Sequence, residues 1–174
     1  MSTEGTEHPW DAIFAQHMDA EHTSNLDETM ATMTASPHIV QVPTVLGGFG
    51  HDEVRTFYAD HLMGHFFPPD VEFTTVSRTH GEGRLVDELV ISFTHTTKID
   101  WMLPGVEPTG LPVSVAFVVI VGFEDDKISY EHIHWDQATV LVQLGLLDPT
   151  GLPVAGRETA AMLLDPRITG PHLQ

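Results

Sequence analysis

With 174 residues, 41% of them hydrophobic, and a mean hydropathy of −0.02, the chain has the length and balance of one soluble globular domain. A domain of this size buries roughly 70% of its unfolded surface, enough for a core without cross-links. There is no cysteine, which excludes disulfides, thiolate nucleophiles and zinc–thiolate sites. Seven Lys and Arg against 25 Asp and Glu give a net charge of −18, which repels phosphate backbones and anionic membrane surfaces. Neither nucleic acid nor membrane is therefore expected as a partner. The polar, acidic start lacks the basic and apolar regions of a secretory signal, so the expected compartment is the cytoplasm.

Residues 1–9 read as a loosely attached arm. Trp10, Ile13, Phe14, His17 and Met18 recur at three and four and predict a helix over about 10–22. Ser24 or Asn25 can cap a second helix carrying Leu26, Met30 and Met33, which Ser36-Pro37 would end. A short strand from His38 to Val42 follows. Gly47-Gly48-Phe49-Gly50 is turn-rich but lacks the Lys-Ser/Thr of a phosphate loop. His51-Asp52-Glu53 places acidic residues in the first turn of a third helix, on which Tyr58, His61 and His65 share a face.

Val71 to His80 and Arg84 to about Ile99 read as strands joined at Gly81-Glu82-Gly83. In the second, Asp87 and His95 share a face with Leu85, Leu89, Ile91 and Phe93. Val113 to Phe123, apolar on both faces, reads as a central strand, and Glu124 to Lys127 as the turn into the next one. A short helix over Gln137 to Leu144, stopped by Gly145, precedes a Pro- and Gly-rich tail. That tail, 148–174, carries a small helix from Arg157 to Leu164 and is expected to serve as a flap or as an arm onto a partner subunit. The order of elements predicts an α+β domain over 10–147, a curved antiparallel sheet with helices on one face.

The strand from Lys127 to Asp136 concentrates titratable groups. A period of two puts Ile128, Tyr130, His132, His134 and Asp136 on one face, a costly row to bury unless it lines a wet cavity or binds something. Asp136 can act as acid or base there, although Asp is also a good N-cap for the helix that follows. His134 can hydrogen-bond Asp136 and shuttle its proton, His132 is the further candidate in the same row, although a buried imidazole is also often purely structural, and His95 can reach the site from a neighbouring strand. A His-x-His pair plus a third histidine is also a geometry that holds zinc or another divalent ion, with Asp136, Asp87, His61 or His65 to complete it. His61 and His65 lack the glutamate of a zincin helix between them. Tyr58, His61, Phe93, Trp101 and Met102 are expected to wall the cavity. The hydroxyl of Tyr58 could stabilise an enolate oxygen.

Four segments resemble one family, in order. Gly50-His51-Asp52-Glu53-Val54-Arg55-Thr56-Phe57-Tyr58 resembles its Gly-x-x-x-Val-Arg-x-Phe-Tyr helix. Thr94-His95-Thr96 with Pro108-Thr109-Gly110 is similar to its Thr-His and Pro-Thr-Gly hairpin. Lys127-Ile128 through Trp135-Asp136, then Gln143-Leu144-Gly145, is similar to its ending. This is the SnoaL-like polyketide cyclase group of the ketosteroid-isomerase and nuclear-transport-factor-like superfamily, and the resemblance spans about 10–147. Asp126 replaces its usual turn glycine, and Trp101-Met102-Leu103 its commonly Gly-containing connection.

The resemblance implies a conical α+β barrel, commonly dimeric, with Asp136 in the place of the acid/base aspartate and His95 in that of the hairpin histidine. The expectation is a cofactor-free isomerase, cyclase or lyase acting on a small, largely apolar carbonyl, lactone or enol. A divalent-metal hydrolase or lyase using the histidines, and a non-catalytic ligand-binding module, are the alternatives.

Overall fold

The computed structural model describes residues 8–168. Helix α1 (Pro9–His22) and the shorter α2 (Leu26–Ala31) lead into strand β1 (Met33–Gln41), which turns back as β2 (Leu46–Phe49). Next come α3 (His51–Phe57) and a π-helical turn (Tyr58–Leu62). Strands β3 (Glu72–Gly81), β4 (Arg84–Thr94), β5 (Pro112–Glu124) and β6 (Lys127–Trp135) then form a meander, closed by α4 (Gln137–Gln143) and α5 (Glu158–Leu164). The six strands make one curved sheet in the order β2-β1-β6-β5-β4-β3. It is antiparallel except for the β1–β6 pair, which is parallel. Among the described residues no helix is long and apolar enough to cross a membrane.

Local chemistry explains most boundaries. His8 caps α1 and Pro9 occupies its first turn, so the helix begins within the segment expected to be an arm; residues 1–7 lie outside the described residues. Asn25 caps α2 by accepting from the Glu28 N–H at 3.2 Å. The sequence reading carries this helix to Met33 and Ser36; instead, Met33 to Pro37 joins β1. The β1–β6 register shifts between Met33 and His38, an irregular stretch where Pro37 is tolerated without an N–H to donate. At the β5–β6 turn Asp125 and Asp126 both take positive φ, 48° and 59°, as a two-residue hairpin requires, so Asp126 performs the expected glycine's part.

The described part of the tail, 148–168, lies against its own domain; residues 169–174 lie outside the described residues. Helix α5 packs on β4 and β5, and the Thr139 hydroxyl donates to the Ala155 carbonyl at 3.2 Å. Ala160 is fully buried, and so is Val90 on the outward-facing side of β4. The inner face of the sheet, with α1, α3 and the 99–103 connection, holds the core, built on Phe14, Tyr58, Ile91, Trp101, Phe117 and Trp135.

Candidate active site

Between the helices and the inner sheet face lies a cavity of about 460 Å³. Its walls are mainly apolar: Phe14 and Met18 of α1, Leu62, Phe66, Phe67 and Trp101 from the connections, and Phe73, Leu89, Ile91, Phe117, Val119 and Ile133 from the sheet. Its polar residues include Glu21, Gln41, Glu131 and the pair Arg78–Asp87, with Asp19, His22 and Thr75 also on its walls. Asp87, noted in the sequence as a carboxylate on an apolar face, does point inward. It is occupied there by Arg78, whose Nε and Nη2 donate to its two oxygens at 2.6 and 2.5 Å.

Which residues of β6 face this cavity is decided by one bulge. Ile128 pairs with Phe123 and Tyr130 with the adjacent Gly122, leaving Ser129 unpaired. Ile128 is buried inward, but one extra residue switches the alternation, so beyond it Glu131, Ile133 and Trp135 point in. Tyr130, His132 and His134 point out. The expectation that the histidine row faces the cavity is therefore corrected. His132 meets His38 of β1 on the outer face, Nε2 to Nε2 at 3.0 Å, and His134 is exposed. Burial, with His38 and His134 nearby, holds the His132 imidazole below its ordinary value.

Asp136 is exposed at the head of α4. Its Oδ1 accepts from the backbone N–H groups of Ala138 and Thr139 at 2.9 and 3.3 Å, and its Oδ2 from the Thr139 hydroxyl at 2.9 Å. The carboxylate is an N-cap. His95 is fully buried in the β4–β5 connection, apart from the cavity wall. Its Nδ1 accepts from the Thr109 N–H at 3.3 Å, and its Nε2 has no hydrogen-bond partner among the described residues. Burial pushes its pKa down. The Thr-His and Pro-Thr-Gly motif thus ties two sides of a hairpin together.

The expected wall residues divide. Trp101 lines the cavity, its indole N–H donating to the Phe66 carbonyl at 2.9 Å. Phe93 and Met102 are buried in the surrounding core. His61 stacks on Phe57 beside a shallow groove between β2 and α3. His65 lies 3.9 Å from Asp100, and among the described residues His61, His65 and His95 form no group of metal-ligand atoms with His132 and His134.

What the fold does assemble is a buried cluster of four groups: His17 and Glu21 from α1, Tyr58 from the start of the π turn, and Glu131 from β6. Their exposures are 0%, 5%, 0% and 2%. Glu21 and Glu131 line the cavity, with His17 and Tyr58 behind them. His17 and Glu21 are one helical turn apart, so both point the same way from α1. The π turn, marked by the Met63 N–H donating to the Tyr58 carbonyl at 2.8 Å, sits where Tyr58 must reach across to β6.

The hydrogen bonds order the cluster. The Thr32 hydroxyl donates to the Thr29 carbonyl at 2.7 Å and so accepts from His17 Nδ1 at 2.6 Å. This leaves Nε2 facing Glu21 Oε1 at 3.2 Å, Glu131 Oε2 at 3.4 Å and the Tyr58 hydroxyl at 3.1 Å. The hydroxyl in turn donates to Glu131 Oε2 at 2.9 Å.

Burial disfavours every charge here, yet the two carboxylates outweigh it at His17 and raise its pKa to about 10. Burial raises Glu21, and the imidazolium offsets that only in part. At Glu131 burial also pushes upward, but His17 and the Tyr58 hydroxyl hold it below the ordinary glutamate value. Burial and the neighbouring carboxylates push Tyr58 far up, which keeps its hydroxyl protonated.

Curved sheet, enclosing helices and a ligand-sized cavity with buried acid/base groups define a protein with the α+β cone fold of ketosteroid-isomerase-like proteins. Within that class the fold is the one found in the SnoaL-like group. A candidate SnoaL-like polyketide cyclase from Shewanella putrefaciens CN-32 matches with a TM-score of 0.66 at 12% identity, covering 83% of this chain and 91% of that one. A second, from Jannaschia sp. CCS1, gives a TM-score of 0.62 at 16% identity over 85% and 99%. The epoxide hydrolase/cyclase-like enzyme SalBIII, from pyran ring formation in salinomycin, gives 0.55 at 13% over 75% and 93%. No family model matches the chain, and no curated protein sequence does.

Proposed function

We propose that the protein is an enzyme of the isomerase, cyclase or lyase type that moves a proton on a small, largely apolar carbonyl, lactone or enol substrate held in the cavity. Glu131 is the base and Glu21 the acid. The observation that carries this reading is that two buried carboxylates line one apolar cavity while their surroundings push their proton affinities apart. Such a separation is how a site holds an acid and a base together near neutral pH. His17 steadies the charge on Glu131. The Tyr58 hydroxyl, already bound to Glu131, orients it for a proton beside a carbonyl. The structural likeness to cyclase-type proteins is compatible with this chemistry and carries no residue assignment.

Deuterium exchange of the carbon-bound protons of a panel of cyclic ketones, lactones and enols, followed by NMR in D₂O, tests the reading. Glu131→Gln is expected to slow exchange by about 10²- to 10⁴-fold, the usual worth of a positioned general base. Wild-type exchange rates in that variant would remove Glu131 from the mechanism.

A further inference from the structure

We propose that His17, Glu21 and Glu131 form a binding site for one first-row divalent transition-metal ion, of the zinc, cobalt or manganese kind, open on one side to the cavity. This does not rest on the proton-transfer reading: with the ion bound, Glu21 and Glu131 are its ligands, and the acid and base roles given to them above belong to the ion-free site. Among the described residues these three are the group whose ligand atoms, one from each, all lie within 4.8 Å of one another. The Nε2–oxygen separations, 3.2 and 3.4 Å, match neighbouring ligands around an ion bound at about 2.0–2.2 Å in tetrahedral or octahedral geometry.

Three further features favour an ion. The tautomer is set for ligation: Thr32 takes the Nδ1 proton of His17 and is itself held by the Thr29 carbonyl. Metal-binding histidines are oriented by this kind of outer partner. Tyr58 similarly holds Glu131. With the ion bound the charge also balances, because two ionised carboxylates offset the dication while the imidazole is neutral. Buried charges persist when paired in this way.

The third feature is independent of the cluster. Gln41, 1% exposed, lines the same cavity from β1, and its Oε1 has no hydrogen-bond partner among the described residues. On the parallel β1–β6 ladder Gln41 pairs with Ile133 and Ile39 with Glu131, so Gln41 stands one inward position along from the carboxylate. An acceptor left unpaired there suits a water or substrate donor carried by the ion. Three protein ligands and an open side are the pattern of catalytic rather than structural sites. The donor set of one nitrogen and two oxygens, without sulfur, fits zinc, cobalt or manganese better than calcium or magnesium.

The test uses full-length protein freed of metal with a chelator, titrated with ZnCl₂ by calorimetry and with CoCl₂ by absorption, with bound metal counted after dialysis. One equivalent per chain is expected. Thr32→Val, which removes the outer partner of His17 together with its anchor on the Thr29 carbonyl but no ligand, is expected to weaken binding about 10- to 100-fold. Glu21→Gln and Glu131→Gln are expected to abolish the stoichiometric site, with circular dichroism reporting whether each variant is folded. The double variant His38→Gln/His132→Gln, which removes the outer-face imidazole pair, should keep the equivalent. Absence of a stoichiometric ion overturns the proposal, and so does an ion that survives Glu21→Gln and is lost with His38 and His132. Binding is read without substrate, so a negative result leaves the exchange test of Glu131 standing, and the reverse.

Discussion

Asp136 separates the two ways of reading this chain. If it is a cap, removing its oxygens costs stability and nothing else; if it is the acid/base residue, removing its charge costs turnover. The side chain accepts three hydrogen bonds, from Ala138 N, Thr139 N and Thr139 Oγ1. They hold the first turn of a helix whose Val140 and Leu144 are 0% and 3% exposed, so loosening that turn disturbs the core. Asp136→Ala is expected to cost about 1–2 kcal/mol, the upper half of the range for caps. For a chain of this length that lowers the melting temperature by about 2–8 °C. Asp136→Asn keeps an oxygen for the two N–H groups and is expected to melt within about 0.5 kcal/mol of wild type, because Asn and Asp cap equally well. Calorimetry on both variants, with the proton-exchange assay alongside, gives the answer. An Asp136→Asn protein that melts normally but has lost exchange would refute the view that Asp136 is a cap and nothing more, and would return the acid/base role to it.

Two other expectations concern stability. His95 and His132 both have imidazoles held below the ordinary value, so in acid the unfolded chain takes up their protons first. Their contribution is complete above about pH 6.5, where both states are neutral, and is lost as pH falls from there towards the depressed native values. The urea midpoint should fall over that window, less steeply in His95→Asn; an identical slope in the variant would show that His95 does not contribute. Gly47 has φ +143°, and a Cβ there would lie 1.9 Å from the Ile39 carbonyl oxygen. Gly47→Ala should lose at least about 1–3 kcal/mol from backbone strain alone, read as a lower urea midpoint with unchanged slope. A loss under about 0.5 kcal/mol would mean that the β1–β2 hairpin relaxes freely.

The architecture was legible because periodicity and turn chemistry act locally. The α1 stripe, the Asp125-Asp126 turn and the strand from Val113 onward all appear about where their sequences put them. The site was less so. His17 was visible as one member of an apolar stripe, and Glu21 follows it by one helical turn, but nothing local says that Tyr58 and Glu131 meet them from 41 and 114 residues away. Those contacts exist only once the sheet wraps the helices. The one available signal was on β6 itself: Ile133 and Trp135 are the bulkier apolar pair, and Glu131 is the polar exception beside them. Ile128 pointed to the other face, and a bulge at Ser129 reconciles the two.

The segments carrying the family resemblance are, in this structure, largely the ones that hold the frame. Gly50 takes φ 82° ahead of α3, and the Thr109 N–H donates to His95. Gln143 grips β5 by exchanging hydrogen bonds with Ser114 N and O at 2.9 and 3.0 Å, Leu144 is buried, and Gly145 ends α4 with φ 69°. Trp135 donates to Gln137, which donates to the Met102 carbonyl and so fixes the connection behind the cavity. Only Tyr58 among the quoted motif positions, and Glu131 within the unspecified middle of the last one, reach the buried cluster with His17 and Glu21. A framework of this kind can be filled with different side chains at its other inward positions. For this chain those positions are set by a helix face at His17 and Glu21, a π turn at Tyr58, and a one-residue bulge that turns Glu131 inward and the histidines out.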